Sequence, residues 1–91
     1  MDTDMMAEII GRRLKLWRKQ QGRDDEEFAQ AAGMVKGTVK RIEGGGRIMM
    51  KSLLAYISAL GNERAVFREL FDFSPDAIRE LKEEEREMEN V

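Results

Sequence analysis

Asp25–Glu43, DEEFAQAAGMVKGTVKRIE, is the stretch around which the rest of the chain is organised. Phe28 and Ala32 fall on one face of a short helix, and Val39 and Ile42 on one face of a second. Gly33 sits at the junction. A residue that ends one helix and turns the chain within three positions needs a positive φ, which glycine adopts without a Cβ clash. Ala29 faces the turn, where two helices crossing steeply can touch only if the inner residue is small. The spacing predicts a helix, a sharp turn and a second helix.

Ala29, Gly33, Val39, Ile42 and Glu43 at this spacing resemble the helix-turn-helix of the phage-repressor (Cro/Xre-like, lambda-repressor-like) family of DNA-binding proteins. Leu14, Trp17 and Arg18 upstream, and Ser52-Leu53-Leu54-Ala55 through Ala59-Leu60-Gly61 downstream, fit that family's first and fourth helices, so the likeness covers residues 6 to 61. It implies an all-α fold, a bundle of five to six short helices in which helices two and three form the helix-turn-helix. Residues 1–61 are then the DNA-binding domain, and residues 62–91 a helical C-terminal extension. By the family's pattern Lys36, Gly37 and Arg41 read base edges in the major groove, where a lysine or arginine donates to guanine O6 and N7. Thr38 would touch a thymine methyl or a phosphate, and Lys40 and Arg47 would meet the DNA backbone. Gly37 has no side chain to read with and weakens a helix by about 1 kcal/mol against Ala, so it either permits close backbone approach or is tolerated. The plainer reading of this helix is a solvated basic face. The resemblance also sets Arg18 opposite Glu43 as a partly buried ion pair, beside the core positions Trp17 and Ile42.

Two residues depart from the family. Arg23 stands where an apolar side chain is usual, and Asp25 where a glutamine often donates to a phosphate. An acidic Asp25, backed by Glu26 and Glu27, cannot donate and repels a phosphate; beside a helix start the same acids favour the positive end of the dipole.

Composition narrows the chemistry. With 91 residues the chain has the size of one small domain. It contains no cysteine and no histidine, which excludes disulfides, thiolate zinc sites and histidine acid-base catalysis. No Gly-Lys phosphate-gripping motif and no defensible carboxylate pair is present, so no catalytic residue, metal site or cofactor is expected and the enzyme class is the weakest. Absence of cysteine suits a reducing cytoplasm. No apolar run approaches the roughly 20 residues that span a bilayer. The net charge of −2 is polarised: residues 1–61 carry 11 basic and 8 acidic side chains, net +3, and residues 62–91 carry 5 and 10, net −5. Screening over about 8 to 10 Å lets a local basic face hold DNA on an acidic protein; the plain alternative is charge that only keeps helices in solution.

Along the chain, Asp4 can cap a first helix whose apolar stripe is Met6, Ile10, Leu14 and Trp17. Arg12, Arg13, Lys15 and Lys19 lie opposite, as phosphate contacts or a solvated face, and Leu16 falls off the stripe. Asp24 or Asp25 caps the second helix. Gly44-Gly45-Gly46 predicts a flexible exposed loop, either a linker or amides open to a phosphate. Ile48, Met49 and Met50 return to the core, and a fourth helix buries Leu53, Leu54, Ile57 and Leu60, leaving Tyr56 off that face. Asn62 to Phe73 holds Val66, Phe67, Leu70, Phe71 and Phe73, more apolar surface than the preceding domain needs; Phe67, Leu70 and Phe71 are expected at a dimer contact, with folding back onto the same chain as the competing outcome. Ser74-Pro75-Asp76 opens a sixth helix, with a thin seam of Ile78, Leu81 and Met88 broken by Glu83-Glu84-Glu85.

These features favour a sequence-specific regulator, a repressor, that binds a two-fold operator on double-stranded DNA as a homodimer. The alternative class is an antitoxin or adaptor whose C-terminal helices engage a toxin-like partner protein. Neither reading requires a membrane.

Overall fold

Three of the helix starts carry a residue whose side chain satisfies a free amide. Asp2 accepts from Met5 N at 2.8 Å, Asp24 from Glu27 N at 2.8 Å and Ser74 from Ala77 N at 3.2 Å. The computed structural model describes residues 1–90, which form α1 (Thr3–Gln20), α2 (Asp25–Ala32), α3 (Lys36–Glu43), α4 (Met50–Leu60), α5 (Glu63–Leu70) and α6 (Pro75–Glu89). No strand occurs among the described residues, so the fold class is all-α. The first helix starts two residues earlier than expected: Asp2, not Asp4, is its cap, and Asp4 lies inside the first turn. At the other end of α2, Gly33 adopts φ 69° and ends the helix, with Met34 N donating to Ala29 O at 2.9 Å.

Two apolar clusters hold the helices together. The larger joins Leu14 of α1, Phe28 and Ala29 of α2, Val39 and Ile42 of α3, Tyr56, Ile57 and Leu60 of α4 and Leu70 of α5. Its centre is the Phe28–Tyr56 pair, ring centroids 4.4 Å apart. The smaller joins Ile9 and Leu16 of α1 to Leu81 of α6, with Ile78, Phe73 and Met88 around them. Trp17 is packed against both. The helix α1 thus lies in the middle, touching α3, α4, α5 and α6.

Several expectations are corrected. Tyr56, expected off the buried face, is fully buried, while Leu54 is 45% exposed. Leu16, unassigned by the stripe, is buried against α6. Met49 and Met50, expected to return to the core, are exposed, and only Ile48 packs inward. Leu70, expected at a contact between copies, is fully buried within its own chain, whereas Phe67 and Phe71 stay 40% and 52% exposed. Helical geometry explains the split, because Leu70 and Val66 point to the core and the 67/71 edge lies to one side.

Arg12 and Arg13 are not a solvated face either. Arg12 Nε donates to Glu85 Oε2 at 3.0 Å, fixing α6 on α1. Arg13 is buried, and its guanidinium donates to Leu70 O at 2.9 Å and to Asp72 O, closing the C-terminal end of α5. Burial pushes the Arg13 pKa down, with nearby Asp72 and Glu69 acting the other way. Residues 63–89 are therefore packed along α1 through both apolar and ionic contacts.

Candidate nucleic-acid interface

The amphipathic division of α3 decides what it can present. Val39 and Ile42 are buried, at 0% and 3% exposure, so the opposite side must face outward. Lys36, Gly37, Lys40 and Arg41 are exposed, and Thr38 is partly so. Arg47, just beyond the helix, is exposed as well. Among the described residues Lys40, Arg41 and Arg47 form no ion pair, and Lys36 Nζ approaches Asp25 Oδ1 only to 3.9 Å. The six residues expected to bind DNA thus lie on one helix and the loop after it, with four cations among them.

A buried polar network fixes the far end of this helix. Arg18 of α1 grips Glu43 with Nε at 2.7 Å from Oε2 and Nη2 at 3.0 Å from Oε1. Its third nitrogen, Nη1, donates to Arg23 O at 2.7 Å. The Tyr56 hydroxyl lies against Glu43 Oε2 and 3.1 Å from Leu14 O. One proton cannot serve both acceptors, and the carboxylate is the stronger. The hydrogen bond to Glu43 raises the Arg18 pKa, while burial and then Glu43 hold the Tyr56 hydroxyl protonated. Every described buried side-chain nitrogen or oxygen has a partner, so the charges inside are compensated.

Backbone contact completes the clamp. A Cβ on Gly11 would stand 2.5 Å from Glu43 O, and one on Gly45, at φ 75°, 2.9 Å from the Glu8 backbone. Both glycines are required by the approach of α1 to the end of α3. The triple-glycine segment is accordingly not an open loop: the amides of Gly44, Gly45 and Gly46 donate to Lys40 O, Ile42 O and Arg41 O, at 2.9, 3.1 and 2.9 Å. Those amides are spent on the helix end and are not free for a phosphate. Gly46 does leave space for Arg41, whose Cγ would be 2.8 Å from a Cβ there.

Arg23, at a position expected from the resemblance to be apolar, finds a physical role. Arg23 lies over the Phe28 ring, 4.6 Å from its centroid, and donates to Ala59 O at 2.8 Å, so a charged residue covers the apolar core and caps α4. Gln21 Nε2 joins it at Leu60 O, 2.8 Å away. Asp24 is the cap of α2, and the Glu27 amide holds its carboxyl below the usual range. That leaves Asp25 partly buried beside Lys36.

Tyr56 is the residue that sequence reasoning missed. Its signal was present, since Leu53, Tyr56, Ile57 and Leu60 keep helical spacing better than a set containing Leu54. Among the described residues no acidic cluster suits a metal ion, and no helix is long and apolar enough to cross a membrane. No family model, curated protein or solved structure matches the chain, so the exposed basic face of α3 and the network beneath it are what carry a functional reading.

Proposed function

We propose that the protein is a sequence-specific DNA-binding regulator that represses by occupying a two-fold operator as a homodimer, within the cytoplasm and without chemistry of its own. The observation that carries this reading is the outward face of α3, where Lys36, Lys40 and Arg41 are exposed above a fully buried inner face. A rigid helix of this kind suits the major groove, in which Arg41 and Lys36 can donate to guanine O6 and N7. Lys40 and Arg47 supply phosphate contacts, and Thr38 meets a backbone oxygen or a thymine methyl. The clamp at Glu43 supports the same reading, because base readout requires a recognition helix held at a fixed angle. Asp25 and its neighbours Glu26 and Glu27 weigh against a phosphate contact at the start of α2, which leaves readout to α3.

The test is selection of bound sites from random duplex DNA, followed by titration on the selected and a scrambled duplex at two salt concentrations. Arg41→Ala should cost roughly 1 to 3 kcal/mol on the selected site and relax preference at one base pair of each half-site. Equal loss on both duplexes would make Arg41 a phosphate clamp. Losing Lys40 or Arg47 should instead weaken all sequences alike and flatten the salt slope by about 0.9 per phosphate contact.

A second reading is favoured by the exposure of Phe67 and Phe71 at the edge of α5. That edge serves either the homodimer or a different protein, as in an antitoxin or adaptor. Sedimentation at micromolar concentration separates these. A dimer that Phe71→Asp converts to monomer supports the operator-binding homodimer; a monomeric wild type removes it and leaves the adaptor reading.

A further inference from the structure

Away from the outward face of α3, the packing of α6 on α1 leaves an open cavity of about 310 Å³, with Glu43 in its lining. Leu16, 3% exposed, and the half-buried Met88 give it an apolar part. Its charges divide into bonded and unbonded ones. Glu85 is held by Arg12, whose Nε donates at 3.0 Å, and Glu43 by Arg18 and the Tyr56 hydroxyl. Lys15 and Lys19, one helical turn apart on α1, are both exposed and form no ion pair among the described residues. The same holds for Glu89 at the end of α6. Two cations and one acid thus line a space that also has apolar walls.

We propose that this cavity binds a small monocarboxylate with an apolar body, an aromatic or branched aliphatic acid, its carboxylate at Lys15 and Lys19 and its hydrocarbon part over Leu16 and Met88. Charge selects the head group. Lys15 and Lys19 against Glu89 leave one positive charge without a partner, which one carboxylate neutralises. A second charge on the ligand would meet Glu85 and Glu89 with no cation left for it. The apolar lining selects the body, because a bare inorganic anion leaves Leu16 and Met88 uncovered, and covering such surface supplies much of a small ligand's affinity. The volume lies at the lower end of ligand sites, which suits a single ring. Such a ligand touches α1 and α6 together and therefore stabilises their docking. The site goes beyond the DNA-binding reading and does not depend on it.

The experiment separates head from body with three small molecules. The full chain, labelled with nitrogen-15, is titrated at constant ionic strength with benzoate, with benzyl alcohol and with acetate while amide shifts are followed. Benzoate should shift amides in the segments 15–19 and 85–89 and saturate with a Kd on the order of 1 mM, as about nine non-hydrogen atoms allow. Benzyl alcohol keeps the ring without the charge and acetate the charge without the ring, so each should bind roughly tenfold more weakly. Replacing both exposed lysines, Lys15→Gln with Lys19→Gln, should weaken benzoate about tenfold and leave benzyl alcohol unchanged. Met88→Gln should weaken both ring compounds. Benzoate shifts that fail to saturate, fall on other segments or survive in the double lysine variant would overturn the site. Equal affinity for benzyl alcohol would overturn its assignment to a carboxylate. No arm of the titration contains DNA, so its failure leaves the DNA-binding reading standing.

Discussion

The two faces of α1 do the same work with different residues. On one, Ile10, Leu14 and Trp17 meet the larger cluster under α2, α3 and α4. On the other, Ile9, Arg12, Arg13 and Leu16 run at the same helical spacing and receive α6 and the end of α5. The second stripe is as regular as the first, yet its two middle positions are arginines, so hydropathy reads it as solvent-facing. Arginine stems are apolar, and their heads reach Glu85 in one case and the carbonyls of Leu70 and Asp72 in the other. A helix with partners on two faces can thus look in sequence as if it had only one.

The difference suggests how each face fails. The largest effect belongs to the first face and its buried pair. Arg18→Ala should lower stability by about 3 to 5 kcal/mol, because Glu43 is left buried with only the Tyr56 hydroxyl for support. Chemical denaturation measures it, and an unmoved midpoint would mean that the pair contributes no more than a surface ion pair. On the second face Leu81→Ala should cost about 2 to 3 kcal/mol, the low end for a deleted core leucine, since its cluster is smaller and nearer to water. Hydrogen exchange sharpens the comparison: amides of α6 should lose protection while those of α2 to α4 keep it. Uniform loss would make the two clusters one cooperative core.

A smaller effect distinguishes the faces by pH. Glu84 of α6 has its pKa raised, first by burial and then by Glu80, Glu69 and Glu87. A carboxyl raised in the folded state favours folding when protonated. Its contribution is present below the ordinary value near 4.5 and is lost as pH rises through the raised one. Glu84→Gln should therefore raise the melting temperature slightly at neutral pH and remove part of the decline between mildly acid and neutral solution. A variant with an unchanged pH profile of stability would show that solvent screens the cluster.

Much of the architecture was legible because it rests on local rules. Gly33 with a positive φ, Ser74-Pro75 opening α6, Asp24 capping α2 and the inward pair Val39 and Ile42 each follow from the chemistry of a few adjacent residues. The exposed basic residues of α3 were legible for the same reason, being the complement of the buried ones. Less legible were residues whose role depends on a distant partner. Tyr56 became core because Phe28 and the Arg18–Glu43 pair receive both its ring and its hydroxyl. Leu70 turned inward, away from Phe67 and Phe71, when Arg13 drew the end of α5 onto α1.

The sequence by itself determined the helices, most of their ends, the small-residue turn between α2 and α3 and the division of α3 into a buried and a charged side. Those properties depend on φ preferences, caps and a period of about 3.6 residues, all encoded within a few positions. Only the tertiary structure decided where residues 62–90 go, that the glycine segment is bonded down onto α3 and α1, and that Arg13 lies inside the fold. Each of these depends on desolvation and on partners far apart in the chain, and a buried guanidinium is stable only where a carboxylate or free carbonyls happen to meet it.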